Sequence, residues 1–310
     1  MIKENIQYVT HKYQISVIVA TYNPIFEKLF ETLLSIVNQK GVIFEIVVTD
    51  DGSKKNYFEE IGAFFQEKKF KNYKLVSHIQ NKGTVENMLS GIKMSEGKYV
   101  KGISPGDQLY NTGILKEWID YMEMNHVTWS FSDAVYYEKK GNKNCLISGT
   151  AYPTNLSPYL KKNVNKCRWN YVVLGDIALG ATMLCKRELQ LEYIKKIAGK
   201  VVYAEDNIWR LMMFDGYVGC YFPKSTILYE YGTGISTANN SEWGYRLKKD
   251  WECTTEILLN SKEITDDFQK KMMRACKKKK LYQKIFIKGE IKSWFMRKFC
   301  KRMTKVNISQ

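Results

Sequence analysis

The sequence predicts an α/β fold with a mostly parallel sheet and helices on both of its faces. Three observations support this prediction. Runs of β-branched and aliphatic residues alternate with segments whose apolar residues have helical spacing. Polar or turn-forming residues follow several of these runs at once, as expected at the ends of buried strands. The chain has 310 residues, 45% of them hydrophobic, which is enough to fill one large core.

Strands and helices alternate through the first hundred residues. Strands are predicted from β-branched or aliphatic runs at residues 14–20, 44–49, 74–78 and 98–103. Helices between them are predicted from apolar residues three or four positions apart, at residues 26–38, 57–65 and 85–94. Because a helix follows each strand, successive strands are expected to be parallel, with right-handed crossovers.

The second half of the chain mixes shorter elements. Helices are expected at residues 114–124, 188–197 and 204–214, and strands at 126–132, 134–138, 180–185, 219–222 and 227–231. Residues 140–175 are rich in Asn, Gly and Lys and are predicted to form long loops over the sheet. One domain is expected over residues 1–237, with halves at about 14–109 and 110–237, followed by a basic helical extension at 238–310.

Polar side chains come directly after three of the predicted strands. They are Thr21, Asn23, Asp50, Asp51 and Asp107. The carboxyl ends of parallel strands meet at one edge of a sheet, and ligands of α/β proteins bind there. The sequence therefore predicts a polar ligand along this edge.

The positive charge of the chain is concentrated at its end. The formal net charge is +16, and residues 271–310 contain 14 Lys and Arg but only one acid, Glu290. Residues 1–270 therefore carry a net charge of only +3. Within residues 277–305, basic residues alternate with apolar ones such as Trp294 and Phe295. This pattern suits a helix at an anionic membrane surface, a basic helix packed on the domain, or less well a nucleic-acid contact, which is not expected without a recognisable motif.

Cysteine spacing and hydropathy indicate the compartment. The seven cysteines are widely spread and include no Cys-x-x-Cys pair, so neither a disulfide framework nor a zinc site is expected. No run of about 18 uncharged apolar residues is present, and residues 1–13 lack the apolar core of a signal peptide. These features predict a cytoplasmic protein, peripheral on the inner face of the membrane if the basic segment binds lipid.

Four short segments together resemble the motifs of a known protein family. They are Thr21-Tyr22-Asn23, Asp50-Asp51-Gly52-Ser53, Asn81-Lys82-Gly83 with Asn87, and Gly97-Lys98-Tyr99-Val100. In this order and spacing the chain resembles the GT-A glycosyltransferases of family 2 over about residues 14–237. The resemblance implies a GT-A, Rossmann-like sheet that transfers a sugar, with inversion, from a nucleotide-sugar donor. A UDP-linked donor, a glycan or lipid-linked saccharide acceptor and a role in bacterial surface polysaccharide synthesis are the further expectations.

The resemblance also implies the donor-binding residues. They are Thr21, Tyr22, Asn23, Asp50, Asp51, Lys82, Gly83, Asn87 and Arg210. Asp carboxylates at strand ends can accept hydrogen bonds from a base N–H or a ribose hydroxyl, and Tyr22 offers an apolar face to the base. From the residues alone, Asp51-Gly52-Ser53 is equally an ordinary turn.

A second acidic pair, Glu205-Asp206, precedes a predicted helix. By resemblance Asp206 is the catalytic base that takes the proton of the acceptor hydroxyl, and Glu205 supports the helix start or contacts the acceptor. Arg210, one turn further on, is expected to pair with Asp206 or to face a phosphate. The residues alone allow a simpler interpretation, because acids are favoured in the first turn of any helix.

The chain departs from the family at its Asp-x-Asp motif. Ser104, Pro105 and Gly106 stand in its place, and Asp107 follows. The first expectation is Mg²⁺ or Mn²⁺ held mainly by the donor diphosphate, with Asp107 as the protein ligand, in contact directly or through water. The alternatives are a metal-independent enzyme, in which Lys82, Lys101 or Arg210 neutralises the diphosphate, and a catalytically impaired domain that binds sugar nucleotides or glycans.

Overall fold

Four parallel strands joined by helices form the amino-terminal half of the protein. The structure is a computed structural model that describes residues 11–141, 143–232, 241–260 and 302–304. The strands are β1 (Tyr13–Thr21), β2 (Phe44–Asp50), β3 (Tyr73–Ser77) and β4 (Gly97–Ile103). The helices between them are α1 (Phe26–Val37), α2 (Phe58–Glu67) and α3 (Thr84–Met94). Their bounds agree with the sequence prediction to within two residues.

Shorter elements make up the second half. The strands are β5 (Gln108–Leu109), β6 (Trp129–Lys140), β7 (Lys143–Ile147), β8 (Met183–Lys186) and β9 (Cys220–Glu230). The helices are α4 (Ile114–Met124), α5 (Ser157–Leu160), α6 (Val164–Arg168), α7 (Arg187–Ile197), α8 (Asn207–Phe214) and α9 (Ser241–Asn260). A π-helical turn (Trp169–Leu174) continues α6, and a 3₁₀ turn (Gly180–Thr182) precedes β8.

The described strands all belong to one mixed sheet. Its order is β3-β2-β1-β4-β8-β6-β9-β5, and β7 pairs with β6 outside this path. Strands β1 to β4 are mutually parallel, whereas β8 is antiparallel to both of its neighbours. The parallel order 3-2-1-4 brings Thr21 and Asp50 to one edge of the sheet, as predicted, and places Ser77 beside them.

Helices cover both faces of this sheet. On one face, α1, α2 and α4 pack against strand residues such as Val17 and Val48. On the other face, α3, α7 and α8 pack against the intervening residues, such as Ile18 and Val47. The two sets alternate because successive side chains of a strand point to opposite faces. The predicted α/β class with helices on both faces is confirmed.

The second half differs from the prediction in several places. The strands expected at 219–222 and 227–231 are one strand, β9, and residues 180–182 of the strand expected at 180–185 form the 3₁₀ turn. The expected strands at 126–132 and 134–138 form the single strand β6, whose pairing to β9 shifts register between Phe131 and Ala134. Residues 140–175, predicted as loops, contain β7, α5 and α6. Local signals start these helices: Pro158 lies in the first turn of α5, and the Asn163 side chain accepts from the Lys166 N–H at the start of α6.

The described parts of the expected extension pack on the domain. Leu258 and Leu259 of α9 lie in the core beside α8. Residues 302–304 pair with 149–151, where Ala151 N–H donates to the Arg302 carbonyl (2.7 Å). Most of the expected lipid-binding segment 277–305 lies outside the described residues, and the domain boundary at 237/238 stays a prediction. Across the described ranges, no helix is both long enough and apolar enough to cross a membrane.

Candidate active site

Asp50 joins the ends of three strands at the predicted ligand edge. Its buried carboxylate accepts hydrogen bonds from the Thr21 hydroxyl (3.0 Å) and from the Ser53 N–H (2.8 Å) and hydroxyl (2.5 Å). The Ser77 hydroxyl at the end of β3 donates to it at 3.4 Å. Asp50 therefore closes its own turn and holds the ends of β1, β2 and β3 together.

Asp51 holds the loop that follows β3. One carboxylate oxygen accepts from the Lys82 N–H (2.9 Å) and contacts the His78 Nδ1 (3.0 Å), and the other accepts from the Gly83 N–H (2.8 Å). Side chains that accept two or three hydrogen bonds in a buried place are strongly positioned. The segment 78–83, which we call the β3–α3 loop, is thus fixed against the end of β2.

Two glycines allow the loops to approach closely. Gly52 has φ +72°, and a Cβ there would lie 2.6 Å from the Gln80 carbonyl carbon. Gly83 has φ +94°, and a Cβ there would lie 2.5 Å from the carbonyl oxygen of Val202. That carbonyl also accepts from the Val85 N–H (3.1 Å). The β3–α3 loop therefore lies directly against the segment that leads to Glu205 and Asp206.

Three more of the predicted donor residues lie at the same edge. The buried Asn87 amide donates to the carbonyls of Thr21 (3.2 Å) and Thr49 (3.3 Å). Asn23 links the two strand-end turns, because its N–H donates to the Ser53 hydroxyl and its side chain accepts from the Lys54 N–H. Tyr22, beside it, is 54% exposed. Asn87 and Asn23 thus shape the edge, and the ring of Tyr22 is open to a ligand.

Glu205 and Asp206 precede α8 on a loop held by Asp250. The two Asp250 carboxylate oxygens accept from the N–H groups of Val202 (3.2 Å), Tyr203 (2.7 Å) and Ala204 (3.0 Å). Opposite the pair, a Cβ on Gly180 would lie 3.3 Å from a carboxylate oxygen of Asp206. Glycine at position 180 therefore leaves space beside the Asp206 carboxylate.

The environment of this acidic pair favours proton uptake. Burial raises the pKa of Glu205 above its usual range, and the neighbouring Asp206 and Asp250 charges add to the effect. Burial also raises the pKa of Asp206, with repulsion from Asp250 acting in the same direction. Carboxylates with raised pKa values are better proton acceptors than exposed ones, which suits a general base.

Arg210 lies within the protein rather than at the ligand edge. Its guanidinium donates to the Val172 carbonyl (3.2 Å) and the Thr255 hydroxyl (2.6 Å), and it lies 3.8 Å from the ring of Trp251. These contacts join α8 to α9 and to the π-helical turn. The expectation that Arg210 binds the donor stays a prediction.

Asp107 lies under the turn that replaces Asp-x-Asp. Its carboxylate accepts from the Glu230 N–H (3.1 Å), and its carbonyl accepts from the Thr32 hydroxyl (2.7 Å). Burial raises its pKa to about 7. Glu230, which lies over Gly106 and pairs with Lys28 (2.6 Å), is a second carboxylate nearby.

Lys101 holds the end of β4, the strand that leads into this turn. Its buried ammonium donates to the carbonyls of Gly102 (2.5 Å) and Ala181 (2.7 Å), and burial lowers its pKa to about 8. Ala181 belongs to the 3₁₀ turn that also contains Gly180. Lys101 therefore links the end of β4 to the 3₁₀ turn, which lies beside the Asp206 carboxylate.

The Mg²⁺ or Mn²⁺ site expected from the sequence has one candidate protein carboxylate at this turn, Asp107. Ser104 and Gly106 contribute no carboxylate, and the carboxylate of Asp107 is buried against the Glu230 N–H. The described residues also contain no group of three or more His, Cys, Asp or Glu side chains that could hold a metal ion. One carboxylate supplies a single ligand, so the donor diphosphate and water would have to supply the others.

The predicted site residues thus fall into two groups. The larger group is continuous through the Gly83–Val202 contact and consists of Thr21, Tyr22, Asn23, Asp50, Asp51, Lys82, Gly83, Asn87, Glu205 and Asp206. Asp107 and Arg210 lie apart, in contacts with Glu230 and with α9. Sequence reasoning missed His78 and Asp250, because a lone His after a weak strand and an acid inside a helix carry no local signal.

Comparison with known proteins finds a matching family model and relatives of this chain. Residues 16–176 match the family model described as glycosyl transferase family 2. An uncharacterized glycosyltransferase of Haemophilus influenzae is 27% identical over 244 residues, which cover 76% of this chain and 71% of that protein.

Solved structures show the same fold at low sequence identity. S. aureus TarS 1-349 in complex with UDP-GlcNAc is 17% identical, with a TM-score of 0.57 over 92% of this chain and 78% of that one. The mannosyltransferase PcManGT from Pyrobaculum calidifontis, in complex with GDP-Man and Mn²⁺, is 14% identical, with a TM-score of 0.55 over 86% and 74%. The mixed α/β sheet described above is therefore the fold of these enzymes.

The raised pKa of Asp107 predicts a pH-dependent loss of stability. The folded protein keeps a proton on this carboxyl up to about pH 7, whereas the unfolded chain releases it near 3.8. The contribution of the group to stability is therefore full below about pH 4 and is lost as the pH rises through 7. We expect Asp107→Asn, measured by thermal unfolding, to gain stability over the wild type between pH 4 and 7.5, by up to about 4 kcal/mol.

The control for this prediction is Asp120→Asn, which changes an exposed acid paired with Lys116. A stability difference between Asp107→Asn and the wild type that stays constant with pH would contradict the prediction.

Proposed function

The chain belongs to glycosyl transferase family 2, and on this premise we propose that it transfers a sugar, with inversion, from a UDP-linked donor to a glycan or lipid-linked saccharide. The observation that carries the proposal is the direct contact between the strand-end loops and the segment before Asp206. Gly83, whose N–H is held by Asp51, packs on Val202, three residues before Glu205. A donor bound at the strand ends would thus lie next to a carboxylate suited to accept a proton.

Donor binding is assigned to the edge formed by β1, β2 and the β3–α3 loop. Tyr22 offers an exposed ring to the base, and Asp50 and Asp51 hold the turns around it. UDP-GlcNAc bound to TarS and GDP-Man bound to PcManGT support a nucleotide sugar as the donor class here. The choice of UDP rests on the sequence resemblance.

In the proposed transfer, Asp206 acts as the general base. It takes the proton of the acceptor hydroxyl as the hydroxyl oxygen attacks the anomeric carbon, opposite the departing nucleoside diphosphate. The space beside Gly180 would receive the acceptor sugar. Half-buried Glu205 shares the desolvated environment and would keep its proton to higher pH than an exposed acid.

We assign to Lys82 the role of neutralising the negative charge on the leaving diphosphate. Its side chain is exposed at the ligand edge, and its backbone N–H is fixed by Asp51. Lys101 and Arg210, the other candidates from the sequence, donate to carbonyl and hydroxyl groups inside the protein. Lys82 is therefore the best placed of the three.

The proposed setting is the inner face of a bacterial membrane, in the synthesis of a surface polysaccharide. The basic composition of residues 277–305 supports this setting, because Lys and Arg among aromatic residues favour anionic lipid surfaces.

Asp206→Asn tests the proposed function. The amide keeps the shape of the side chain but cannot accept a proton, so we expect sugar transfer to fall about 100- to 10,000-fold while donor binding is unchanged. Transfer would be measured from radiolabelled UDP-sugars, and binding by calorimetry across UDP-, GDP-, CMP- and dTDP-sugars. Asp215→Asn, at the other end of α8, is the matched control.

Two outcomes would contradict this proposal. Retained turnover in Asp206→Asn would remove that residue from the role of base. Donor binding without transfer in the wild type, over a wide acceptor panel, would leave the domain as a sugar-nucleotide-binding module.

Asp51→Asn is expected to weaken donor binding. The new amide group would face the Gly83 N–H that the carboxylate now accepts, so the β3–α3 loop would lose its fixed position. We expect the Kd of the donor to rise about tenfold or more in calorimetry, an effect of about 1.4 kcal/mol. An unchanged Kd would exclude Asp51 from any part in the donor site, and Asp120→Asn again serves as the control.

Asp107→Asn, combined with Mn²⁺, tests the fit of the metal site. If Asp107 stays buried against Glu230, any effect of Mn²⁺ on donor affinity is expected to be the same in the wild type and in Asp107→Asn. The measurement is the donor Kd with and without Mn²⁺ for both proteins. An Mn²⁺ effect that disappears only in the variant would show that the Asp107 carboxylate is a ligand.

A further inference from the structure

A short turn between α5 and α6 exposes apolar and basic side chains together. We call residues 160–166 the basic turn. Leu160 is 68% exposed and Val164 is 48% exposed, although both are aliphatic. Lys161 and Lys162 lie between them and are exposed, and Lys166 follows.

The basic turn is firmly anchored at both of its ends. On its amino-terminal side, Pro158 and Tyr159 are buried, and Tyr159 packs edge-on against Phe131 of β6. On its carboxyl-terminal side, the buried Cys167 belongs to the same core. The exposure of Leu160 and Val164 is therefore a property of the folded surface and not of a frayed end.

The local charge is strongly positive. Residues 139–175 contain seven Lys and Arg and no Asp or Glu, so this segment carries +7. Residues 1–270 together carry only +3, and the remainder of that stretch is therefore net −4. Within the part of the chain that the structure describes, Lys161, Lys162 and Lys166 form no ion pair. Their charges are available to an external anionic surface.

The combination indicates the kind of partner. Two aliphatic side chains four positions apart, with lysines between and after them, can enter the headgroup layer while the ammonium groups meet lipid phosphates. Each lysine near an anionic surface adds about fivefold to partitioning, which makes a cluster of three significant. Base stacking with a single-stranded nucleic acid would need an exposed aromatic ring, and Tyr159, the aromatic residue adjoining the turn, is buried, so the exposed aliphatic side chains favour lipid.

The basic turn is also rigidly connected to the element that carries Asp206. The Arg168 guanidinium, at the end of α6, donates to the carbonyls of Met213 and Phe214 at the end of α8. Further along, the Val172 carbonyl accepts from Arg210 near the start of α8. Val164 and Val172 lie on one continuous helical segment, formed by α6 and the π-helical turn. Contact between the basic turn and a membrane would therefore fix the distance of Asp206 from the membrane surface.

We propose that the basic turn, Leu160 to Lys166, is a docking surface for anionic phospholipid headgroups that orients the domain on a membrane. This proposal goes beyond the proposed function, which assigns membrane contact to residues 277–305, and it does not depend on which sugar is transferred. It requires the turn to contribute to binding in the presence of the basic C-terminal segment.

The experiment measures binding of the full chain to vesicles by sedimentation. Vesicles of phosphatidylglycerol and phosphatidylcholine are compared with vesicles of phosphatidylcholine alone. The variant is Lys161→Glu/Lys162→Glu/Lys166→Glu, and the matched control is Lys68→Glu/Lys69→Glu/Lys71→Glu, near the end of α2. We expect the first to lose at least tenfold in partitioning to the anionic vesicles and the control to lose threefold at most.

A second variant tests the apolar component. Leu160→Ser/Val164→Ser is expected to lose about fivefold, whereas Ile43→Ser/Met124→Ser, which changes two exposed apolar residues elsewhere, should bind as the wild type does. Circular dichroism and donor binding would show that each variant is folded.

The following results would overturn the proposal. Equal losses in the two lysine triples would mean that only overall charge matters. Unchanged binding in both basic-turn variants would leave the turn without a role. A loss of binding to a DNA oligonucleotide, with vesicle binding intact, would assign the turn to nucleic acid instead.

Discussion

The site depends on one buried carboxylate that joins distant parts of the chain. Asp51 accepts the N–H groups of Lys82 and Gly83, which fixes the β3–α3 loop. Gly83 then packs on Val202, and Asp250 accepts the N–H groups of the segment that begins there. Each step uses backbone groups, whose positions are far less adjustable than those of side chains. The donor edge and the acidic pair are therefore positioned by one continuous set of hydrogen bonds.

Sequence patterns could predict the sheet and the location of its ligand edge. Strands β1 and β2 are largely apolar runs rich in β-branched residues, and such runs identify buried parallel strands. Thr21, Asp50 and Asp51 then fall at one edge by topology alone. The partners of these side chains could not be predicted, because Asp51 bonds to groups 31 and 32 residues away and Asp250 to groups 46 to 48 residues away. Such contacts exist only after the fold has formed.

The turn at 104–107 is a second case in which the position of a residue could be predicted and the direction of its side chain could not. The sequence placed Asp107 at a strand end, beside the expected diphosphate. The fold turns its carboxylate toward Glu230, and the neighbouring Lys101 and Lys28 balance the two acids. Burial of charged groups is costly unless they are paired and hydrogen-bonded. The Lys28–Glu230 ion pair and the hydrogen bond from the Glu230 N–H to Asp107 therefore support the turn from within the protein.

Residues 302–304, a described part of the basic C-terminal region, pair with residues 149–151. Arg302 also forms an ion pair with Asp133 of β6 (2.5 Å), and the paired strand lies ten residues before Leu160. The described residues on either side of this region, those up to Asn260 and those at 302–304, therefore both contact the domain. If this region and the basic turn both contact one lipid surface, the second contact becomes intramolecular, at a high effective concentration. Two weak contacts would then produce avidity, and the domain would remain on the surface through many successive encounters with acceptors.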